Sequence, residues 1–192
     1  MQDRFRLRAL ALAVSSALIL TACGGGGSSA TTLSGTVAEG LAIANATVTA
    51  RDTLGKTRST TTDASGNYTL DTAGLSYPLM LQVTGSKGVW HALVSADDAG
   101  RTVNVNNATD SVALLALGLG SSAALQSAFA NGNFSQIDAA RIAAADARLL
   151  DALEHELGTR PASLRSARFT PATDDNSGDE TDRLLTLVGT RP

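Results

Sequence analysis

The chain has 192 residues, room for one ordinary domain or a small domain with a helical appendage. Acidic residues outnumber basic ones 18 to 15, Lys56 and Lys87 are the only lysines, and no basic cluster occurs beyond Arg8, which argues against a nucleic-acid partner. Aromatics are 4% of the chain, so a core must rest on Val, Leu, Ile and Ala, and a single cysteine excludes an internal disulfide.

Arg4, Arg6 and Arg8 precede an apolar run over residues 9–20. Its length suits the apolar region of a signal peptide and is too short to span a bilayer. It ends in Leu20-Thr21-Ala22-Cys23-Gly24, which resembles the lipobox of bacterial lipoproteins. The resemblance implies cleavage before Cys23, lipidation of Cys23, and a membrane partner reached through that anchor. It also implies sorting to the outer membrane, because Gly24 stands where an aspartate would signal inner-membrane retention. The alternative role for Cys23, a small buried hydrophobe, is disfavoured by the four glycines that follow it. Residues 1–22 are thus expected to be a lipoprotein signal peptide and 23–32 a flexible Gly/Ser tether. A phosphate-binding glycine loop is a poorer reading of the tether, since no Lys-Ser/Thr follows it.

From Leu33 the chain alternates. Segments 33–37, 46–50, 58–62, 68–70, 78–84, 89–94 and 102–105 are rich in Val, Thr and aromatics. Turn signals such as Leu54-Gly55, Ser65-Gly66-Asn67 and Gly85-Ser86 separate them. Strands at this spacing predict a mainly β fold, a small antiparallel sandwich over 33–107. A helical region is expected over 108–192. Thr109-Asp110-Ser111 can open a helix running through 112–117, and 121–130 is helix-prone. Over 135–157, Ile142, Ala145, Leu149, Leu153 and Leu157 recur at helical steps, with Ser135 as the expected cap, Asp138 near the N-terminus and Gly158 as the stop. Docking of this helix on its own domain is favoured over a membrane-surface role, because its polar face mixes signs and lacks aromatics. An acidic loop over 174–180 and a short terminal helix carrying Leu184, Leu185, Leu187 and Val188 follow.

Three pieces of the strand region occur in a telling order: Gly35-Thr36-Val37, Ala46-Thr47-Val48, and Thr62-Asp63-Ala64-Ser65-Gly66-Asn67-Tyr68. Together they resemble the carboxypeptidase regulatory-like domain. That resemblance implies a transthyretin-like Greek-key sandwich. The family's usual Gly-x-Pro turn is absent; Leu41-Ala42-Ile43 stands there. The C-terminal region resembles that of lipoproteins carrying this domain, with Asp110 where those have proline.

Asp63, Gly66 and Tyr68 are read as a structural turn: Asp63 bonds nearby backbone N–H groups, Gly66 takes positive φ, and Tyr68 buries its ring with its hydroxyl at the edge. The alternation of Asp63, Ser65 and Asn67 also suits calcium, but one carboxylate falls short of a full ligand set. His91 and His155 are expected to be exposed surface residues rather than metal ligands or catalysts. No Gly-x-Ser-x-Gly elbow supports a Ser-His-Asp triad. Asp174/Asp175 and Asp179/Glu180 lack an apolar setting to raise a pKa, and position twelve from Asp174 is Leu185 rather than the glutamate of an EF-hand. No catalytic residue, metal or cofactor is therefore expected. The expected function is a non-enzymatic outer-membrane lipoprotein presenting a β-sandwich as a binding or assembly module, with an envelope protein or a glycan as partner. The alternatives are an accessory module of an envelope hydrolase and a small glycan-binding domain.

Overall fold

The computed structural model describes residues 31–172 together with Leu184, Leu185 and Val188. Cys23 and the acidic loop over 174–180 lie outside the described residues. Six strands form two antiparallel sheets. A two-stranded sheet pairs β1 (Thr32–Thr36) with β4 (Asn67–Asp71). A four-stranded sheet has the order β3 (Thr57–Thr61), β2 (Thr47–Asp52), β5 (Leu79–Thr84), β6 (Val89–Val94). Three helices follow: α1 (Asn107–Leu117), α2 (Ser122–Asn131) and α3 (Ala139–Leu157).

Side-chain alternation decides the layering. On β1 and β4, Leu33, Tyr68 and Leu70 turn inward and meet Val48, Ala50, Leu79, Leu81, Val83, Ala92 and Val94 of the large sheet. Met80 and Leu93 point to the opposite face of the large sheet. There they pack with Val112, Ala113, Leu125, Phe134 and Ile142 beneath the helices. The helices cover the β5–β6 half of that face, so β5 is buried on both sides and reads as an apolar run. On the β2–β3 half, Thr47, Thr57 and Ser59 are exposed. A third cluster joins Ala38, Ala108, Leu153, Leu164, Phe169 and Leu185.

The seventh expected strand, 102–105, is a correction. The segment carries only isolated bridges, and it runs parallel to β1, with Ser34 opposite Thr102 and Val37 opposite Val105. Val103 N donates to Ser34 O (2.7 Å) and Val105 N to Thr36 O (3.0 Å). Its far side is covered by the loop over 163–167 rather than by another strand: Asn104 N donates to Arg165 O at 2.7 Å. Gly35 permits this close approach. A Cβ there would land on the Val103 carbonyl oxygen and within 2.9 Å of the Tyr68 ring.

Helix starts also differ from expectation. Asn106 caps α1 in a reciprocal box with Thr109, three residues ahead of the expected cap. Ser121 caps α2, its side chain accepting from Ala124 N. α3 begins at Ala139, capped by Asp138 rather than Ser135, with Arg141 N donating to Asp138 Oδ1 at 2.8 Å. The reason is packing: Phe134 and Ile137 are buried and joined by a turn, so the chain cannot become helical until they are placed. A carboxylate at the cap also meets the positive end of the helix. The face of α3 buries Ile142, Ala145, Leu150 and Leu153, while Leu157 in the last turn is exposed. No single described helix is long and apolar enough to cross a membrane.

One turn recurs. Asp52 Oδ1 accepts from Leu54 N (2.9 Å) and Lys56 N (2.8 Å), and Gly55 has φ +88°. Asp63 Oδ1 accepts from Ser65 N (2.8 Å) and Asn67 N (2.8 Å), and Gly66 has φ +78°. The backbone bonds match as well: Asp52 N to Lys56 O and Gly55 N to Asp52 O, then Asp63 N to Asn67 O and Gly66 N to Asp63 O. The same Asp-x-x-Gly-x geometry closes the β2–β3 hairpin and carries the chain from β3 to β4 in the other sheet. The surroundings of the two glycines separate them. A Cβ on Gly66 would sit 2.5 Å from the Val37 carbonyl oxygen, whereas one on Gly55 would meet only the tip of Arg51 at 3.3 Å. Gly55→Ala should therefore cost roughly 1–2 kcal/mol, the backbone strain alone. Gly66→Ala should cost more, because backbone must also move. Thermal melts of the two variants check this; equal losses would show that the contact with Val37 carries no weight.

Candidate functional site

Two groups of polar side chains bear on function: some that the fold consumes and some left facing a cleft. His91, expected at the surface, belongs to the first group and is fully buried. Alternation along β6 turns it toward α1, where the ring Nδ1 lies 2.8 Å from Asp110 Oδ1. Asp110 also accepts from His91 N (3.0 Å) and from Ser122 Oγ (3.3 Å). With Nδ1 donating to the carboxylate, Nε2 of a neutral ring is the acceptor for the Gln82 amide at 3.1 Å. Ser122 thus bonds the acid and not the imidazole, so the group lacks the serine–histidine contact of a nucleophilic triad. Its work is to fasten α1 to β6, which Thr109 Oγ1 reinforces by donating to His91 O at 2.8 Å. His155 is exposed on α3.

Glu39 is consumed in the same way. It accepts from Ser86 N (2.9 Å), Ser86 Oγ, Lys87 N (3.1 Å) and Trp90 Nε1 (2.9 Å). Consecutive amides of the β5–β6 turn make an anion-holding concavity, and the chain fills it with its own carboxylate. Burial raises the Glu39 pKa, but these donors outweigh it and hold the group below the usual carboxylate range. Asp98 accepts from Ser95 N (2.7 Å), Ser95 Oγ (2.8 Å) and Arg165 Nη2 (2.5 Å). Among the described residues, no three His, Cys, Asp or Glu side chains are grouped to hold a metal ion.

The second group lies on the outer face of the small sheet. Ser34 is paired in register with Thr69, and Thr36 with Asn67. Their side chains point away from the core because Leu33, Gly35, Tyr68 and Leu70 point into it. Thr102 sits opposite Ser34 in the parallel segment. Arg168 and Phe169 rise beside this face and make it a cleft of about 380 Å³, lined also by Gly35 and Tyr68. That volume is within the range of small-ligand sites. Thr36 Oγ1 donates to Asn67 Oδ1 (3.1 Å), and Asn67 Nδ2 donates to Asp63 Oδ2 (3.3 Å). Among the described residues, Ser34, Thr69, Thr102 and Arg168 make no side-chain hydrogen bond.

The expected turn residues flank this cleft. Asp63 holds the turn, and donation from Asn67 N, Asn67 Nδ2 and Ser65 N keeps its carboxyl below the ordinary range. Tyr68 corrects one expectation: its hydroxyl is not at the edge but buried, and donates to Val103 O at 2.5 Å. Burial pushes the phenol far above its usual range, against the opposing charge of Arg165, so it remains a donor. Of the cleft residues, Gly35, Thr36, Asn67 and Tyr68 stand in the segments that carry the family resemblance; Ser34, Thr69, Thr102 and Arg168 are ordinary polar residues until the fold brings them around one cleft. Comparison with family profiles, with characterised proteins and with solved structures returns no match.

Asp98 yields a pH prediction. Burial raises its pKa, and Arg165 and Ser95 lower it by more, so the folded value is depressed. The pair therefore stabilises the fold above the ordinary aspartate value, about 4, and its contribution is lost as pH falls through the folded value. Asp98→Asn should cost about 2–3 kcal/mol at neutral pH, by leaving Arg165 half-buried without its counter-charge. It should also flatten the acid limb of stability. Melting temperatures of wild type and variant that fall in parallel below pH about 4 would contradict this.

Proposed function

We propose that this chain is a non-enzymatic, lipid-anchored protein of the bacterial outer membrane that presents its β-domain as a binding or assembly module. One observation carries the reading: the sole cysteine stands at the end of a basic-then-apolar leader, in Leu20-Thr21-Ala22-Cys23. Stable anchoring needs two or more acyl chains, at about 0.8 kcal/mol per buried methylene. The tether is short, and Thr31 O already accepts from Thr72 N and Thr72 Oγ1 (2.7 Å for the latter). A folded body so close to its anchor is held near the membrane surface, with a typical tether span on the order of 15–20 Å.

The β-domain is read as a transthyretin-like Greek-key sandwich of the carboxypeptidase regulatory-like kind. Two facing antiparallel sheets and the Asp63–Tyr68 turn support that reading. Service as a binding module is supported by the division of polar groups: Glu39, His91 and Asp98 are spent on the fold, while hydroxyls and a guanidinium face an open cleft. The accessory-module reading has no observation of its own in its favour.

Metabolic labelling with an alkyne fatty acid tests the anchor. Wild type should take up label, Cys23→Ser should lose it, and labelled protein should sediment with the outer membrane on a sucrose gradient. Equal labelling of both proteins would overturn the lipid anchor; labelled protein in the inner membrane would overturn the address.

A further inference from the structure

The geometry points to an acidic sugar, a hexuronate unit of an envelope glycan, as the ligand of the cleft over the small sheet; this assignment rests on the reading of the chain as an envelope binding module. Three hydroxyls without a partner among the described residues face the same space: Ser34 and Thr69 on the paired strands and Thr102 on the segment bridged to Ser34. Each can donate and accept, which is what a row of sugar hydroxyls also requires. Thr is stiff at χ1, and both sheet strands are held in register, so little order is lost on binding. The wall beside them supplies the charge. Arg168 is exposed, lines the cleft and has no hydrogen-bond or ion-pair partner among the described residues. Its planar fork matches a carboxylate through two parallel hydrogen bonds.

The lining chemistry selects among anions. Among the described residues, Arg168 is the only charged one lining the cleft, and none of the described carboxylates lines it. Asp63 and Asp71, at the two ends of β4, are turned to their own turns, where Asp63 accepts from Ser65 N and Asn67 N, and Asp71 from Ala73 N at 2.9 Å. A phosphate would call for several cations or a nest of backbone N–H groups; the nest in this fold is filled by Glu39. One cation among several hydroxyls suits a ligand with one negative charge and many hydroxyls. The edge of Phe169, beside Arg168, gives a small apolar wall for the ring's C–H face.

The test uses the full chain in a non-sugar detergent, with tri-galacturonate as probe and maltotriose as the neutral control, followed by amide chemical shifts. Tri-galacturonate should move the Gly35, Thr69 and Thr102 amides saturably in the millimolar range. Arg168→Ala should weaken it by about tenfold, as loss of a charge-assisted pair requires, and Thr69→Val by about threefold, as loss of one neutral hydrogen bond requires. Both residues are exposed, so the melting temperature should hold in both variants. Maltotriose should bind at least tenfold more weakly. No saturable shift with tri-galacturonate, shifts located elsewhere, equal affinity for the two sugars, or unchanged affinity in Arg168→Ala would each overturn the assignment. Because Cys23 labelling is read separately, a failed titration with a labelled anchor removes the ligand and leaves the anchored module standing.

Discussion

Backbone that leaves the β-domain must still satisfy its polar groups, and in this protein that constraint falls on residues 103–110, all of them buried. The segment lies against β1 on one side and under the 163–167 loop on the other, out of water. On the β1 side, the Val103 and Val105 amides are paired by the parallel bonds to Ser34 O and Thr36 O, and their carbonyls accept from Tyr68 Oη and Ala38 N. The rest depends on two fully buried asparagines. Asn104 accepts from Thr36 N (3.1 Å) and donates to Leu164 O (3.1 Å) and Ala167 O (2.8 Å). Asn106 caps α1 and donates to Leu164 O at 3.3 Å. Asn107 adds a bond to Leu185 O at 2.5 Å. One stretch thus fixes the edge of the small sheet, the start of α1 and the path of the C-terminal segment. Each bond is modest in net terms, but leaving any of these buried groups unpaired would cost its full desolvation.

That junction also positions the cleft. Arg168 and Phe169 stand beside the small sheet because Ala167 and Leu164 are tied to Asn104, and because Arg165 is tied to Asp98 and Leu93 O. The sheet supplies hydroxyls in register, and the returning C-terminal segment supplies the wall. A face of four ordinary polar residues on two strands, Ser34, Thr36, Asn67 and Thr69, would otherwise be open to solvent. Only the return of the chain makes it concave and gives it a charge.

Much of the fold was legible in the sequence because its signals are local. Six strands and three helices follow from alternation, helical steps and turn residues, and glycines with left-handed φ end all three helices. The Asp63–Gly66 turn was legible for the same reason. Its twin at Asp52–Gly55 shows that the signal lies in the spacing, Asp-x-x-Gly-x, and not in the tyrosine that follows only one of them. What was not legible depends on contacts far apart in the chain. His91 looks like a surface residue until alternation on β6 and the first turn of α1 bring Asp110 to it across 19 positions. Residues 102–105 look like an antiparallel strand because polar residues and Val alternate there, yet the segment bridges β1 in parallel, an approach that Gly35 permits by leaving room for Val103. Ser135 looks like a cap, and burial of Phe134 and Ile137 moves the start to Asp138. The cleft itself was invisible, since hydroxyl residues carry no pattern until register aligns them.

The account makes the sheets and the helices one cooperative body closed by the buried asparagines. Native-state hydrogen exchange on the full chain, comparing wild type with Asn104→Ala, tests this most directly. Protection should fall by the same amount at β1, at the first turns of α1 and in the 163–167 loop, because Asn104 ties β1 to the loop and Asn106, bonded to the same Leu164 O, caps α1, so the three open together. Loss confined to the 163–167 loop, with β1 and α1 as protected as before, would mean that the C-terminal segment is an appendage, and would contradict the account.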